Sequence, residues 1–211
     1  MLFRSVADIE RRVGVTVRVL DLGGGLGIRY TSDDVAADIA QHSAAVQDDL
    51  DAALAAVGAT SMPILATEPG RSIVANAGLT LYRVGTIKEV PGIRTYVSVD
   101  GGMSDNARPA LYGARYEAFL PARADAARDT VVTIAGKHCE QGDLVVRDAE
   151  LPSAVEVGDV LCTPCTGAYG HSMASNYNRL ARPAVVFVAD GAARLVVRRE
   201  TLDDMLATDV G

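Results

Sequence analysis

Apolar residues at Leu2, Phe3, Val6, Ile9 and Val13 recur at the spacing of one helix face, which predicts an amphipathic helix over about 5–13. Val15 to Leu22 then alternates and is rich in β-branched residues, a strand that runs into Gly23-Gly24-Gly25-Leu26-Gly27. Ser32 is placed to cap the next helix, with Asp33 and Asp34 in its first turn, where negative charge suits the helix dipole. Val35, Ile39, Val46, Leu50, Leu54 and Val57 line one face of that helix, and Gly58 supplies a left-handed stop. Pro63 opens a short strand, Ile64 to Thr67, and Glu68-Pro69-Gly70-Arg71 turns it into a helix beginning near Ser72. Helix, strand, helix, strand, helix in that order implies parallel strands joined by crossovers.

Beyond about Gly78 the pattern changes. Segments 79–90, 94–99, 130–136, 143–147, 159–163, 184–189 and 193–198 are short, β-branched, and separated by Gly, Pro and Asp, which reads as an antiparallel β domain. A short helix is expected from Arg198 to Ala207. The fold class is therefore α/β followed by all-β: residues 1–78 as βα units of a barrel, 79–200 as an antiparallel β barrel or sandwich, and 201–211 as a helix and tail. A closed (β/α)₈ barrel has eight strands and about 250 residues, whereas the first portion offers two strands whose edges would be unpaired. The expectation is that the parent protein is longer.

Composition narrows the function. The chain has 211 residues, 49% of them hydrophobic and 22% charged, an ordinary globular balance. A net charge of −7 argues against a nucleic-acid surface or an anionic membrane face, although a pocket in such a protein can still be basic. No apolar run approaches the roughly 18 residues of a membrane span, and the N-terminus lacks a signal peptide's apolar region. Three cysteines, odd in number and unevenly spaced, do not make a secreted disulfide framework, so a reducing cytoplasm is expected. Cys162-Thr163-Pro164-Cys165 matches C-x-x-C, but it has neither a second pair for zinc nor a thioredoxin-like βαβ context. His42, His138 and His171 show no ligand spacing and are assigned no role; Asp48, Asp49 and Asp51 read as a solvated helix face.

Chemistry concentrates in five places. The glycine run after the first strand lets backbone N–H groups approach a phosphate without Cβ obstruction, although a tight turn would look the same. It fails the dinucleotide fingerprint, because Tyr30 stands where a glycine is needed, and it has no Walker lysine. Glu68-Pro69-Gly70-Arg71, at the end of the neighbouring strand, adds a second glycine turn and an arginine, together a phosphate clamp of the kind barrel enzymes build. Arg108 to Gly113, Cys139-Glu140-Gln141-Gly142-Asp143, and Gly167-Ala168-Tyr169 contribute an arginine, a thiol beside a carboxylate, and a tyrosine.

The glycine-rich loop and the E-P-G-R loop, in this order and separation, resemble the phosphate grip of the alanine-racemase-like decarboxylases that act on basic amino acids. Arg108, Tyr112, Cys139-Glu140 and Tyr169 are most similar to the diaminopimelate branch of that group. Val99 to Asn106 and Ser175-Asn176-Tyr177-Asn178 support the match, which runs from about Val17 to Asp190. The resemblance implies pyridoxal 5'-phosphate as cofactor, held by Gly24, Gly25, Glu68, Pro69, Gly70, Arg71 and Tyr169. It implies meso-2,6-diaminopimelate as substrate, contacted by Arg71, Arg108, Tyr112, Glu140 and Tyr169, with L-lysine and CO₂ as products. Cys139 takes the proton-donor role, and the Cys-Glu loop completes the site of a neighbouring subunit, so a homodimer is implied. The residue chemistry agrees: two arginine forks suit carboxylates, Glu140 suits an ammonium, and a thiol with an ordinary pKa of about 8.5 still carries its proton at neutral pH.

The lysine that carries the family's cofactor lies in a barrel strand not found here. Lys88 and Lys137 fall in the β-rich half and outside that lysine's motif, so the chain alone is expected not to decarboxylate. Two rival readings stand beside this one: a non-catalytic, dimerising binding protein of the same family, and a decarboxylase for ornithine or arginine.

Overall fold

The protein divides into two units in a computed structural model that describes residues 2–58 and 62–211. One unit comprises Met1–Arg29 with Asp33–Ile73, the other Tyr30–Ser32 with Val74–Gly211. The side chains of Leu2, Phe3 and Val57, assigned above to apolar helix faces, lie outside the described residues. Among the described residues no helix is long and apolar enough to cross a membrane.

In the first unit α1 (Leu2–Val13) ends on Arg11 and Arg12, which face the negative end of its dipole, and packs on α2 (Ile39–Val57). Between them β1 (Val19–Asp21) pairs in parallel with β2 (Ile64–Ala66), Val19 opposite Ile64. Both strands are shorter than the apolar pattern suggested. α2 also starts later: Asp38, not Ser32, is its cap, accepting from the Gln41 N–H at 3.0 Å. Ser32 instead belongs to the second unit, where its N–H donates to Glu117. Val35 therefore precedes the helix and is exposed, while Leu50 and Leu54, four residues apart, are its buried face. Gly58 closes the helix in the left-handed conformation, φ 67°. α3 (Gly70–Val74) begins at Gly70 rather than Ser72 and passes at once into a 3₁₀ turn, Ala75–Ala77.

The second unit is built on a five-stranded sheet in the order β6-β5-β4-β3-β7. Its strands are β3 (Leu79–Val90), β4 (Arg94–Val99), β5 (Thr130–Ala135), β6 (Leu144–Leu151) and β7 (Val160–Pro164). The sheet is mixed, which corrects the antiparallel expectation. β4 and β5 run parallel, Thr95 opposite Val132, because the chain between them is long enough to return to the same end of the sheet. That connection carries α4 (Arg108–Tyr112). β3 pairs with β7 through Leu79–Arg83 and with β4 through Val84–Val90, with an irregularity between Val84 and Ile87 that bends it. Inward positions supply the core: Tyr82, Val84, Val97, Val99, Ile134, Leu151 and Leu161, all buried.

After β7 come α5 (Gly170–Met173) and a hairpin of β8 (Val185–Ala189) and β9 (Ala192–Val197), turned by Asp190 and Gly191, both at positive φ as a tight hairpin requires. α6 (Leu202–Leu206) is shorter than the Arg198–Ala207 expectation. It begins at a capping box in which Thr201 and Asp204 satisfy each other's N–H groups.

The entry to β3 and the exit from β7 meet backbone to backbone. Thr166 N–H donates to the Gly78 carbonyl and Gly167 N–H to the Ala75 carbonyl, each at 3.0 Å. A Cβ at Gly167 would stand 2.0 Å from the Val74 carbonyl oxygen, and one at Gly78 would stand 2.3 Å from the Gly167 Cα. Gly167→Ala is expected to destabilise the chain by about 2–4 kcal/mol, since backbone must separate to admit the methyl; urea unfolding reads the loss. Nearby, burial pushes the Cys162 thiol up to about 11. An unfolded thiol titrates near ~8.5, so this contribution is intact below that pH and is lost as pH rises toward 11. The stability difference between native chain and Cys162→Ala should therefore narrow across that window, as paired urea midpoints would show.

Candidate functional site

The glycine run and the E-P-G-R turn sit against each other in the first unit. Leu22 N–H donates to the Ala66 carbonyl at 3.0 Å, and Glu68 N–H to the Gly23 carbonyl at 2.8 Å, extending the β1–β2 pairing into the turns. Asp21 folds back to accept from the Gly23 N–H at 2.8 Å. Gly23 and Gly25 take positive φ, 70° and 96°. Gly24 is needed for clearance: a Cβ there would lie 2.3 Å from the Glu68 carbonyl oxygen. On the other side Ser72 Oγ donates to the Pro69 carbonyl at 2.8 Å and fixes the start of α3, where Arg71 is half-buried. Gly24, Gly25, Glu68, Pro69, Gly70 and Arg71 thus form one cluster.

Arg108, at the start of α4, heads a second cluster in the other unit. Its guanidinium carbon lies 5.0 Å from the Tyr169 ring centroid, 5.4 Å from that of Tyr112 and 5.9 Å from that of Tyr30, all within cation–π range. Tyr30 in turn stands edge-to-face against Tyr116, centroids 5.2 Å apart. Burial raises the Tyr116 phenol above its ordinary value, so it stays neutral beside the arginine. Among the described residues the Arg108 Nε is buried without a hydrogen-bond partner. Tyr169 caps α5 at a positive φ of 70°, a conformation rare for a bulky residue.

Cys139 and Glu140 gather with residues from a third loop. The Tyr177 hydroxyl donates to Glu140 Oε1, an interaction that raises the tyrosine's own pKa by favouring its protonated form. Asn178 Nδ2 reaches the Cys139 sulfur at 3.8 Å. Cys139 and Glu140 are both exposed. Cys162 and Cys165 of the C-x-x-C stretch sit apart in and after β7, and burial raises both thiols. Among the described residues no group of three or more His, Cys, Asp or Glu converges as a metal site.

Four residues that carry this geometry had no assigned role in the sequence: Tyr30, His138, Asp143 and Asn178. Asp143 is the last residue of the Cys-Glu-x-Gly-Asp run and is buried. Its carboxylate accepts from Met103 N–H at 2.6 Å and His138 N–H at 2.7 Å, and Cβ atoms at Gly102 or Gly136 would collide with it. The signal was an acid fixed at the end of a glycine-containing loop, a pattern that marks a side chain tying its own turn. Asp143→Ala strands the buried His138 N–H and the half-buried Met103 N–H and should cost about 2–5 kcal/mol in urea unfolding, with Cys139 becoming mobile on the same change.

Comparison with known proteins agrees with the geometry. The family model described as pyridoxal-dependent decarboxylase, C-terminal sheet domain, matches residues 6–167. The diaminopimelate decarboxylase of Bacillus subtilis is 49% identical over 209 residues, covering 99% of this chain and 47% of the relative. That of Mycobacterium leprae is 46% identical over 214 residues, covering 100% and 45%. The crystal structure of diaminopimelate decarboxylase from M. jannaschii in co-complex with L-lysine superimposes with a TM-score of 0.80 at 38% identity, covering 99% of this chain and 47% of that one. The chain spans about half the length of the relatives it matches. It belongs to the pyridoxal-dependent decarboxylase family, whose C-terminal sheet domain it carries.

Proposed function

We propose that this chain supplies the phosphate grip, the distal-carboxylate pocket and the proton donor of a decarboxylase that converts meso-2,6-diaminopimelate to L-lysine and CO₂. The observation that carries the reading is Arg108. A buried guanidinium Nε that no described residue meets costs free energy unless a ligand acceptor does, and the guanidinium lies within cation–π distance of Tyr112 and Tyr169 with its fork suited to a carboxylate. Ornithine and arginine have no second carboxylate to offer.

The glycine cluster fits pyridoxal phosphate, because Gly25 and Gly70 present backbone beside open space at the ends of two adjacent strands and Arg71 follows in the same turn. Gly24, Gly25, Glu68, Pro69, Gly70 and Arg71 would hold the phosphate end. When bound, the cofactor supplies the electron sink for the charge left as CO₂ departs. Arg71 and Arg108 bind carboxylate, and Glu140 faces the ammonium of the end that does not react. Tyr177 orients Glu140 by donating to one oxygen, leaving the other for substrate. Tyr112 and Tyr169 flank the Arg108 guanidinium with ring faces that attract the cation without pairing it, leaving its fork for an anion. Cys139 Sγ delivers the proton that replaces the carboxyl group. Because Cys139 and Glu140 are exposed on their loop, they suit donation to the site of a second copy, so the working unit is a homodimer, placed in the cytoplasm with the rest of lysine biosynthesis.

Joining this chain with the remaining half of the Bacillus subtilis relative and loading pyridoxal phosphate should give CO₂ release from meso-diaminopimelate. Arg108→Ala should lower kcat/KM about 100-fold, the loss expected for one charged hydrogen-bonding partner. A loaded, folded assembly that turns over ornithine but not diaminopimelate would overturn the reading.

A further inference from the structure

His138 and Asn178 adjoin the thiol in a network that the proposed reaction has not used. The His138 imidazole is buried, 8% exposed, immediately before the exposed Cys139. Its Nε2 lies 2.9 Å from Ser104 Oγ, and its Nδ1 lies 3.5 Å from Asn178 Nδ2. The two ring nitrogens are thus each engaged, one by a hydroxyl and one by the Asn178 amide. The ring also stacks on Tyr177, centroids 5.4 Å apart and planes 29° from parallel. Tyr177 itself is committed to Glu140.

Asn178 therefore spends one amide group on two neighbours, the His138 nitrogen and the Cys139 sulfur. The backbone is shaped for this. Asn178 and Arg179 both take positive φ, 57° and 56°, an arrangement that costs free energy in non-glycine residues and that asparagine tolerates best. Ser175 N–H donates to the Ser104 carbonyl at 3.0 Å, so the loop that carries Asn178 is tied to the same residue that holds His138.

We propose that Asn178, oriented by His138, is the positioning residue that gives the Cys139 sulfur an N–H partner and so makes it a readier proton donor. An N–H aimed at sulfur favours the anion left after the proton departs, and it fixes the sulfur's direction. The charged and titratable groups around the pair are Glu140 and Tyr177 on the solvent side, Asp105 and Asp143 on the His138 side, and the basic Lys137, Arg179 and Arg199 on the flanking segments. This deepens the proton-donor reading of Cys139 and rests on it, but its test needs neither cofactor nor substrate.

The test is the pH dependence of Cys139 alkylation by iodoacetamide, read by mass spectrometry on the peptide that contains it, with Cys165 as an internal reference. Asn178→Gly keeps the left-handed backbone and removes the donor. Its Cys139 profile should move to higher pH by about half a unit, roughly a threefold slower reaction at fixed pH, while the Cys165 profile stays in place. Asn178→Asp, nearly the same shape and equally at ease at positive φ, replaces the donor with a negative charge and should move the profile further in the same direction. His138→Phe keeps a stacked ring but frees the amide, and should shift the profile the same way. An Asn178→Gly profile that coincides with that of the native chain overturns the proposal, whatever Asn178→Asp does. Loss of decarboxylation with an intact Asn178-dependent profile would instead sink the functional reading and leave this one standing.

Discussion

One buried carboxylate joins the loops on which the chemistry depends. Asp143 accepts from the backbone of the loop after β4, through Met103, and from the loop after β5, through His138. The first of these loops leads into Arg108, and the second carries Cys139 and Glu140. Lys137 N–H donates to the Gly101 carbonyl at 2.9 Å, adding a direct stitch between them. Because β4 and β5 are adjacent and parallel, both loops leave the same end of the sheet, and a single acid can reach both. The glycines at 102 and 136 are there because the acid fills the space their side chains would need.

Much of this was legible in the chain. β-branched runs separated by Gly, Pro and Asp located the strands of the second unit within a residue or so at most ends, since the alternation that packs one face of a sheet is local information. Pairing direction is not local. Nothing in the residues of β4 or β5 states that their 30-residue connection returns the chain in parallel. Ser32 and Asp38 are equally good caps by type; Asp38 prevails because Ser32 is held elsewhere by Glu117, a partner far along the sequence. The site shows the same division. Motif residues such as Gly24, Arg71, Arg108 and Cys139 stood out by type and spacing. His138 and Asn178 did not, because their roles come from contacts between loops far apart in the sequence.

An acidic chain that is to hold an anion has to localise its positive charge. The net charge of −7 is spread over exposed surface, whereas Arg108 sits half-buried between aromatic faces. Such faces offer a cation attraction without offering it a counter-ion. An aspartate in their place would pair with the arginine and compete with an incoming carboxylate. Tyr116, kept neutral by burial, adds polarity on the protein side without adding charge.

The strained turn at Asn178 and Arg179 also needs support, and it comes from the end of the chain. Glu200, just past β9, accepts from Asn176 Nδ2 at 2.5 Å, from Arg182 N–H at 2.8 Å and from Arg182 Nε at 2.6 Å. With the Arg182 guanidinium bound to it, the Glu200 carboxyl is held down at about 2 and is ionised throughout the neutral range. The acid clamps both sides of the turn, residues 176 and 182, so the positive φ values between them are fixed by hydrogen bonds rather than by local preference. A segment with no chemistry of its own thereby sets where the Asn178 amide points. The segment after β9 is thus part of the apparatus that aims the thiol, even though Glu200 lies about 60 residues from Cys139 in sequence.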